Sequence, residues 1–189
     1  MKLTVFLDRD GTINRKRPEG DYVKTWDEFE FLRDALAGIR KISASGARII
    51  CVTNQRGIAR HRMTEADLTA IHQQMLRAVH ESGGRIDAIY YCPHEGGCDC
   101  RKPMTGLFQR ARTEFREIDF ANSIVVGDAI SDMEAASRLG CRTALVASPE
   151  TDPLIRKQAA RQGIQIDVCV GTLLEFAELL PDWKALRSG

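Results

Sequence analysis

The chain has 189 residues, of which 43% are hydrophobic and 28% are charged. This composition excludes an intrinsically disordered chain, and the length suits one domain with a buried core. The 27 basic and 26 acidic residues leave a net charge of +1, which gives no reason to expect a nucleic acid or an anionic membrane as the partner.

Strand-like segments alternate with helical patterns along the chain, without a linker, a repeat or a low-complexity tract. Strands are predicted at residues 3–7, 47–54, 87–92, 122–128, 142–148 and 166–171. Helices are predicted at residues 34–46, 64–84, 106–115, 131–140, 152–163 and 172–180. This alternation predicts one α/β domain, residues 1–189, with a Rossmann-like, three-layer arrangement in which a central parallel sheet is covered by helices on both faces.

Functional side chains are expected where the predicted strands end. In parallel α/β sheets, ligands bind beyond the carboxyl ends of the strands, and these ends lie at one edge of the sheet. The residues at four of these ends are Asp8 and Asp10, Thr53 and Asn54, Cys92 and His94, and Gly127 and Asp128.

The two aspartates after the first strand point the same way if the chain stays extended, because Asp8 and Asp10 are two residues apart. Two close carboxylates repel each other unless a cation or a shared proton lies between them, and Mg²⁺ suits carboxylate oxygens. Asp128 offers a further oxygen, and Asp132, one helical turn later, is a candidate accessory acid. Each acid also has a simple structural explanation, as a turn, a helix cap or a solvated first-turn acid. Their occurrence together at several strand ends favours a site.

The amino terminus does not resemble a signal peptide, because Asp8, Arg9 and Asp10 interrupt its apolar run. No segment approaches the roughly 18 continuous apolar residues that a membrane-spanning helix requires. We therefore expect a cytoplasmic protein, in which cysteines are reduced and clustered cysteines indicate a metal site.

Four ligand-type residues, Cys92, His94, Cys98 and Cys100, lie within nine positions. Three thiols and one imidazole fit a closed tetrahedral Zn²⁺ site, whereas a catalytic zinc keeps an open position and usually has fewer thiolates. We therefore predict a structural zinc site rather than a loop with incidental cysteines. Bound zinc would also help to place Lys102, two positions after the last ligand.

The segments FLDRDGT, VTNQ, RKP and VGDAISD resemble, in this order, the four motifs of the haloacid dehalogenase superfamily of phosphotransferases. The resemblance implies that Asp8 attacks phosphorus and forms an aspartyl-phosphate, while Asp10 protonates the leaving group and then activates water. It implies a Mg²⁺ ion held by the carboxylates of Asp8 and Asp128 and by the backbone carbonyl of Asp10. Thr53 and Lys102 would bind the phosphoryl oxygens.

The zinc loop and the segments DRDGTIN, TNQRGIAR, YYCPH and CDCRKP are similar to those of the heptose 1,7-bisphosphate phosphatase family. This similarity implies removal of the C7 phosphate of D-glycero-D-manno-heptose 1,7-bisphosphate, on the route to nucleotide-activated heptose. The histidinol-phosphate phosphatases share the zinc loop, so that activity, or another small sugar-phosphate phosphatase activity, is the alternative. The family lacks a large cap domain, so the zinc loop and the segment after Asn14 would form the walls of the pocket.

The expected partner is a small anionic sugar phosphate, bound by a monomer. The candidate substrate-binding residues are Arg9 (through its backbone N–H), Gly11, Asn54, Gln55, Arg56 and Arg101. By the resemblance, Arg101 recognises the substrate beyond the reacting phosphate, because an arginine fork suits a second anionic group. For the basic run at residues 15–17 a solvated surface is the favoured interpretation, with attraction of an anion as the alternative.

The chain departs from the family pattern at three places: the zinc loop is short, the segment RKRPEGDY is long, and Ala129 stands where some relatives have lysine. These departures concern the choice of substrate rather than the chemistry.

A catalytically silent scaffold on the same fold would be expected to lack at least one of Asp8, Asp10, Lys102 and Asp128, and this chain has all four. A mutase would need a cap that excludes water, and none is evident in the sequence.

Overall fold

The structure is a computed structural model that describes residues 2–181 and residue 183. The strands are β1 (Thr4–Leu7), β2 (Arg48–Asn54), β3 (Ala88–Cys92), β4 (Ser123–Gly127), β5 (Arg142–Val146) and β6 (Val168–Val170). The α-helices are α1 (Ala35–Ala44), α2 (Glu65–Glu81), α3 (Gly106–Glu114), α4 (Ile130–Leu139), α5 (Asp152–Arg161) and α6 (Leu173–Leu179).

The strands form one six-stranded sheet in the order β3-β2-β1-β4-β5-β6, and every neighbouring pair is parallel. The predicted α/β class, the parallel sheet and all predicted strands and helices are confirmed. The last strand is shorter than predicted, since β6 lies at the edge of the sheet and pairs only with β5. The extent of the predicted domain, residues 1–189, stays a prediction, because Met1, Asp182 and residues 184–189 lie outside the described residues.

Helices cover both faces of the sheet, because side chains alternate between the faces along each strand. Val5 and Leu7 of β1 pack with side chains of α1, α2 and α6 in one apolar core. Phe6 points to the opposite face, where its ring centroid lies 5.0 Å from that of Phe108 in α3. Helices α4 and α5 complete this second layer, so the central strands are buried on both faces and are almost continuously apolar.

The order of the strands places a switch point between β1 and β4. After β1 the chain adds β2 and β3 on one side, then returns to add β4 on the other side of β1. A crevice opens where neighbouring connections diverge in this way, and ligands bind there. The backbone N–H of Asp8 donates to the Val126 carbonyl oxygen at 2.9 Å, so the chain that follows β1 lies beside the end of β4.

The connection between β1 and α1 is long and folds back over the end of the sheet. Three aromatic side chains hold it: the ring centroids of Trp26 and Phe29, and of Phe29 and Phe31, are each 5.0 Å apart. These rings pack against the core on the α1 face. Within residues 2–181 there is no separate cap domain, as expected from the family resemblance.

None of the helices in the described part of the chain has the length and apolar character to cross a membrane.

Close packing of α1 against α6 requires Gly38 to have no side chain, because a Cβ atom there would lie 2.6 Å from the carbonyl carbon of Leu173. Gly38→Ala should lower the free energy of unfolding by about 1–3 kcal/mol, although alanine is the better helix former. A melting temperature lower by several degrees, measured by thermal denaturation, is the expected result. Gly96→Ala, at a position with no atom within 4 Å of the added carbon, is the control and should change little. A more stable Gly38→Ala variant would contradict this packing.

Candidate active site

The ammonium group of Lys102 lies at the centre of an acidic cluster at the carboxyl end of the sheet. Its Nζ is 2.7 Å from Oδ1 of Asp8 and 2.6 Å from Oδ1 of Asp132. It also donates to the carbonyl oxygen of Val52 at 2.6 Å. Lys102 and Asp132 are almost wholly buried, and a buried charge is tolerated only when it is well paired. The lysine and its two carboxylates therefore hold one another in place.

Burial shifts the titration of these groups. Desolvation, together with the charges of Asp132 and Asp128, raises the pKa of Asp8 to about 7 against the attraction of Lys102. Desolvation disfavours the charged form of Lys102, but the two carboxylates beside it raise its pKa, so the ammonium stays charged. When all are ionised, the carboxylates of Asp8, Asp128 and Asp132 exceed the charges of Lys102 and Lys16 by one, which favours the binding of a further cation.

The carboxyl groups of Asp8, Asp128 and Asp132 fit a divalent metal ion. Each offers one oxygen, and these oxygens lie within 4.8 Å of one another. Oδ2 of Asp128 accepts from Nζ of Lys16 at 2.9 Å, but its Oδ1 is buried and has no hydrogen-bond partner among the described residues. A buried carboxylate oxygen without a partner is costly unless it binds something, and Mg²⁺ prefers such hard oxygen ligands.

Two glycines leave room for these carboxylates. Gly11 has a φ of +100°, and a Cβ atom at this position would overlap the carboxylate of Asp128. A Cβ atom on Gly127 would overlap the carboxylate of Asp132. We expected Gly11 to allow a phosphate to approach the backbone; in the structure the carboxylate of Asp128 takes this space, and the Gly11 N–H donates to the Asn14 carbonyl oxygen at 2.8 Å.

Asp10 lies in a different environment from Asp8. Its Oδ1 accepts from Nη2 of Arg9 and from Nδ2 of Asn14, both at 3.0 Å, and its Oδ2 accepts from Nε2 of Gln55 at 2.8 Å. Burial favours the neutral acid, but the charge of Arg9 and these hydrogen bonds lower the pKa of Asp10 overall. The pKa values of these two neighbouring carboxyl groups therefore shift in opposite directions, because Asp8 lies buried beside two further carboxylates and Asp10 lies beside a guanidinium group.

The polar side chains at the end of β2 and directly after it form hydrogen bonds to other residues of the site. The amide of Asn54 accepts from the backbone N–H of Lys102 at 2.9 Å and donates to the Lys102 carbonyl oxygen at 3.1 Å. Nε2 of Gln55 donates to the hydroxyl of Thr53 at 2.8 Å as well as to Asp10. Asn54 thus fixes the segment that carries Lys102, and Gln55 connects Thr53 to Asp10.

A cavity of roughly 510 Å³ opens above these groups. Residues 16–23, which follow β1, form one wall, and the zinc loop contributes Arg101 on the other side. Nε of Arg56 donates to the Tyr22 hydroxyl at 3.2 Å, and Nη1 of Arg101 donates to the His94 carbonyl oxygen at 3.4 Å. Both guanidinium groups line the cavity, so a ligand there meets carboxylates at the floor and cations in the walls.

The sulfur atoms and the imidazole of the predicted zinc site face one another. Sγ of Cys92 lies 3.0 Å from Sγ of Cys100 and 3.7 Å from Sγ of Cys98. Nδ1 of His94 lies 3.2 Å from Sγ of Cys100 and 3.7 Å from Sγ of Cys92. These cysteines are not in disulfides. A tetrahedron with bonds of about 2.0–2.3 Å has edges of about 3.3–3.8 Å. The two 3.7 Å separations fit such a site, and the separations of 3.0 and 3.2 Å are shorter than it requires. Although desolvation disfavours the thiolate, the N–H groups of Arg101 and Cys100 lower the pKa of Cys98 to about 6.

Four residues at the site had no clear signal in the sequence. Asn14 contacts Asp10, and His72 contacts Arg9. Lys16 contacts Asp128, and Tyr22 contacts Arg56. The only available signal for His72 was its place on the helical face shared by Leu68 and Met75, where a polar residue must find a partner. For the basic run, Arg15 pairs with Glu30 at the surface, as a solvated residue does, whereas Lys16 reaches the site.

Comparisons with known proteins agree with this site. The polynucleotide kinase 3 phosphatase family matches residues 2–150. The D-glycero-beta-D-manno-heptose-1,7-bisphosphate 7-phosphatase of Bordetella bronchiseptica is 38% identical over 148 residues, which cover 77% of this chain and 80% of that protein. The D-glycero-alpha-D-manno-heptose-1,7-bisphosphate 7-phosphatase of Mycobacterium bovis is 35% identical over 175 residues, 92% of this chain and 88% of that protein.

A solved structure also resembles this chain. The crystal structure of D,D-heptose 1,7-bisphosphate phosphatase from B. bronchiseptica, complexed with magnesium and phosphate, superposes with a TM-score of 0.84 at 34% identity. The match covers 97% of this chain and 99% of that one. The chain therefore belongs to the heptose 1,7-bisphosphate phosphatase family of the haloacid dehalogenase superfamily, and it is a phosphatase that hydrolyses phosphate monoesters.

Proposed function

We propose that the protein is a Mg²⁺-dependent phosphatase that removes the C7 phosphate of D-glycero-D-manno-heptose 1,7-bisphosphate in the biosynthesis of nucleotide-activated heptose. The observation that supports this most directly is the buried Lys102 between Asp8 and Asp132, beside an unpartnered carboxylate oxygen of Asp128. We further propose that the enzyme acts as a cytoplasmic monomer, in keeping with a small anionic substrate and one self-contained site.

In the first step, a carboxylate oxygen of Asp8 attacks phosphorus, and the bond between phosphorus and the sugar oxygen breaks. A carboxylate attacks a phosphate dianion only when the repulsion between them is removed, and Lys102 supplies one neutralising charge from beside Asp8. Bound Mg²⁺, held by Asp8, Asp128 and the backbone carbonyl of Asp10, would supply the rest. Asp132 keeps Lys102 charged and in place, and Thr53 holds a phosphoryl oxygen.

Asp10 transfers the proton. In its protonated form it gives the proton to the leaving sugar oxygen, and the resulting carboxylate then takes a proton from the water that attacks the aspartyl-phosphate. Phosphate leaves and Asp8 is restored. The hydrogen bonds from Gln55 and Asn14 hold the carboxyl group of Asp10 in one orientation for both steps.

The walls of the cavity bind the rest of the substrate. Arg101 and Arg56 present guanidinium groups that suit the phosphate at the far end of a bisphosphate. The backbone N–H of Arg9 faces the reacting phosphate, while the Arg9 side chain turns into the protein.

Zinc bound by Cys92, His94, Cys98 and Cys100 has a structural role in this proposal. A closed site with three thiolates has no open position for water or substrate. The ion stiffens the loop from which Lys102 extends into the acidic cluster, so the metal supports the chemistry from outside the active site.

Asp8→Asn should reduce phosphate release by about three orders of magnitude or more, because an amide cannot serve as the nucleophile. Steady-state release of inorganic phosphate with Mg²⁺ measures the effect, and circular dichroism shows whether the fold is kept. Asp27→Asn, an exposed aspartate outside the site, is the control and should retain wild-type activity. Full turnover by a folded Asp8→Asn variant would rule out the nucleophile.

The substrate is tested by comparing kcat/KM for the α and β anomers of the heptose 1,7-bisphosphate with kcat/KM for histidinol phosphate. We expect one heptose anomer to exceed histidinol phosphate by at least about a hundredfold, because only the bisphosphate offers a second anion to Arg101 and Arg56. Higher kcat/KM for histidinol phosphate would refute the proposed substrate while leaving the phosphatase chemistry in place.

The purified enzyme should contain one zinc ion per chain by elemental analysis. Cys98→Ser should lower the zinc content, the melting temperature and kcat together, because the loop that carries Lys102 loosens. Cys169→Ser, which changes a cysteine outside the cluster, should leave the zinc content unchanged. A wild-type enzyme that contains no zinc and whose melting profile does not respond to a chelator would exclude the structural site.

A further inference from the structure

The side chain of Arg9 is buried directly beneath the site, although the proposed reaction makes no use of it. It is 1% exposed, one of the largest fully buried side chains in the described part of the protein. Its guanidinium group forms a fork: Nη1 lies 3.1 Å from Nε2 of His72, and Nη2 donates to Oδ1 of Asp10 at 3.0 Å. Nη2 also donates to Oε1 of Gln55 at 3.3 Å.

His72 can only be the acceptor in its contact with Arg9, because an arginine N–H donates and has no lone pair to offer. Nε2 therefore carries no proton, and the neutral ring has its hydrogen on Nδ1. The position is suited to this form, since burial and the adjacent charge of Arg9 lower the pKa of His72 to about 3. The ring is fixed on the buried face of α2 and meets Tyr91 edge-on, with centroids 6.1 Å apart.

We infer that His72 and Arg9 are positioning residues that hold the carboxyl group of Asp10 in its working orientation. The inference rests on the proposed function, in which Asp10 transfers the proton. The rigid guanidinium plane connects two hydrogen bonds, so anchoring Nη1 on α2 fixes the direction of the N–H that Nη2 aims at Asp10. Helix α2 thereby contributes to the site without touching the substrate.

The consequence of losing His72 follows from the burial of Arg9. Without the acceptor, Nη1 would be a charged donor with no partner in an apolar surrounding, which costs several times a normal hydrogen bond. The guanidinium group would turn toward another acceptor. The carboxyl group of Asp10 would then either move with it or lose the hydrogen bond from Nη2. Asn14 and Gln55 would still contact Asp10, so we expect a weakened proton transfer rather than its complete loss.

Two variants of similar shape separate this role from simple packing. In His72→Gln the side-chain carbonyl can still accept from Arg9, whereas His72→Met fills a similar volume without a strong acceptor. The substrates are the heptose bisphosphate, whose sugar oxygen must be protonated as it leaves, and p-nitrophenyl phosphate, whose phenolate leaves without a proton. The readout is kcat/KM, which reports the steps up to formation of the aspartyl-phosphate.

For His72→Met we expect kcat/KM to fall about tenfold on the sugar bisphosphate and less than about twofold on p-nitrophenyl phosphate. The tenfold loss is a fraction of the full effect of an acid catalyst, because Asp10 is still present. His72→Gln should stay within about twofold of wild type on both substrates. Met75→Leu, one turn along the same buried face, is the control and should leave both values unchanged even if the melting temperature falls.

Three outcomes would overturn the inference. They are equal losses of kcat/KM on the two substrates, equal losses in His72→Gln and His72→Met, and no loss in His72→Met. Asp10→Asn, measured beside them, tests the proposed function separately: a loss that is not selective for the sugar substrate would remove the acid role of Asp10 and with it this inference. If His72→Met does not fold, Arg9→Lys decides instead. It keeps the charge but cannot hold His72 and Asp10 through separate nitrogens, so the same selective loss is expected, and an unselective loss overturns the inference.

Discussion

The burial of one ammonium group between two carboxylates is the constraint on which the rest of this site depends. Taking Lys102 and its partners out of water costs several kcal/mol per ion, and only close pairing offsets this cost. The partners come from different parts of the fold: Asp8 follows β1, Asp132 lies in α4, and the Val52 carbonyl is in β2. The strands and the helix must therefore all be in position before the lysine can be accommodated. The same packing assembles the proposed nucleophile, its neutralising charge and the carboxylates proposed to hold Mg²⁺.

Support for this cluster extends outward in two directions. Asn54 binds the backbone of Lys102 through both its amide atoms, and the cluster of Cys92, His94, Cys98 and Cys100 lies in the loop just before it. On the other side, Arg9 passes from the site into the core and meets α2 at His72. Asn54 is satisfied by backbone atoms, whereas the buried charge of Arg9 is met by the carboxylate of Asp10, the side-chain oxygen of Gln55 and the ring of His72.

Much of this was predictable from the sequence, because it depends on local patterns. Alternating strands and helices predicted the sheet and its layers, and the acids at the ends of β1 and β4 predicted the position of the site. The spacing of the four zinc-ligand residues predicted their cluster. The contacts of Lys16 and His72 were not predictable, since each depends on how a long loop or a helix packs against residues that are 112 and 63 positions away along the chain. The role of Asn54 was likewise hidden, because its sequence motif does not reveal that both amide atoms are used on a backbone segment.

The position of the reacting groups along the chain divides the protein into two unequal parts. Every residue assigned to the proposed chemistry lies between Asp8 and Asp132, whereas β5 and β6 extend the sheet and α5 and α6 pack against the sheet and α1. Substitutions in these elements therefore reach the proposed site only through the packing that they share with β4, α4 and α1.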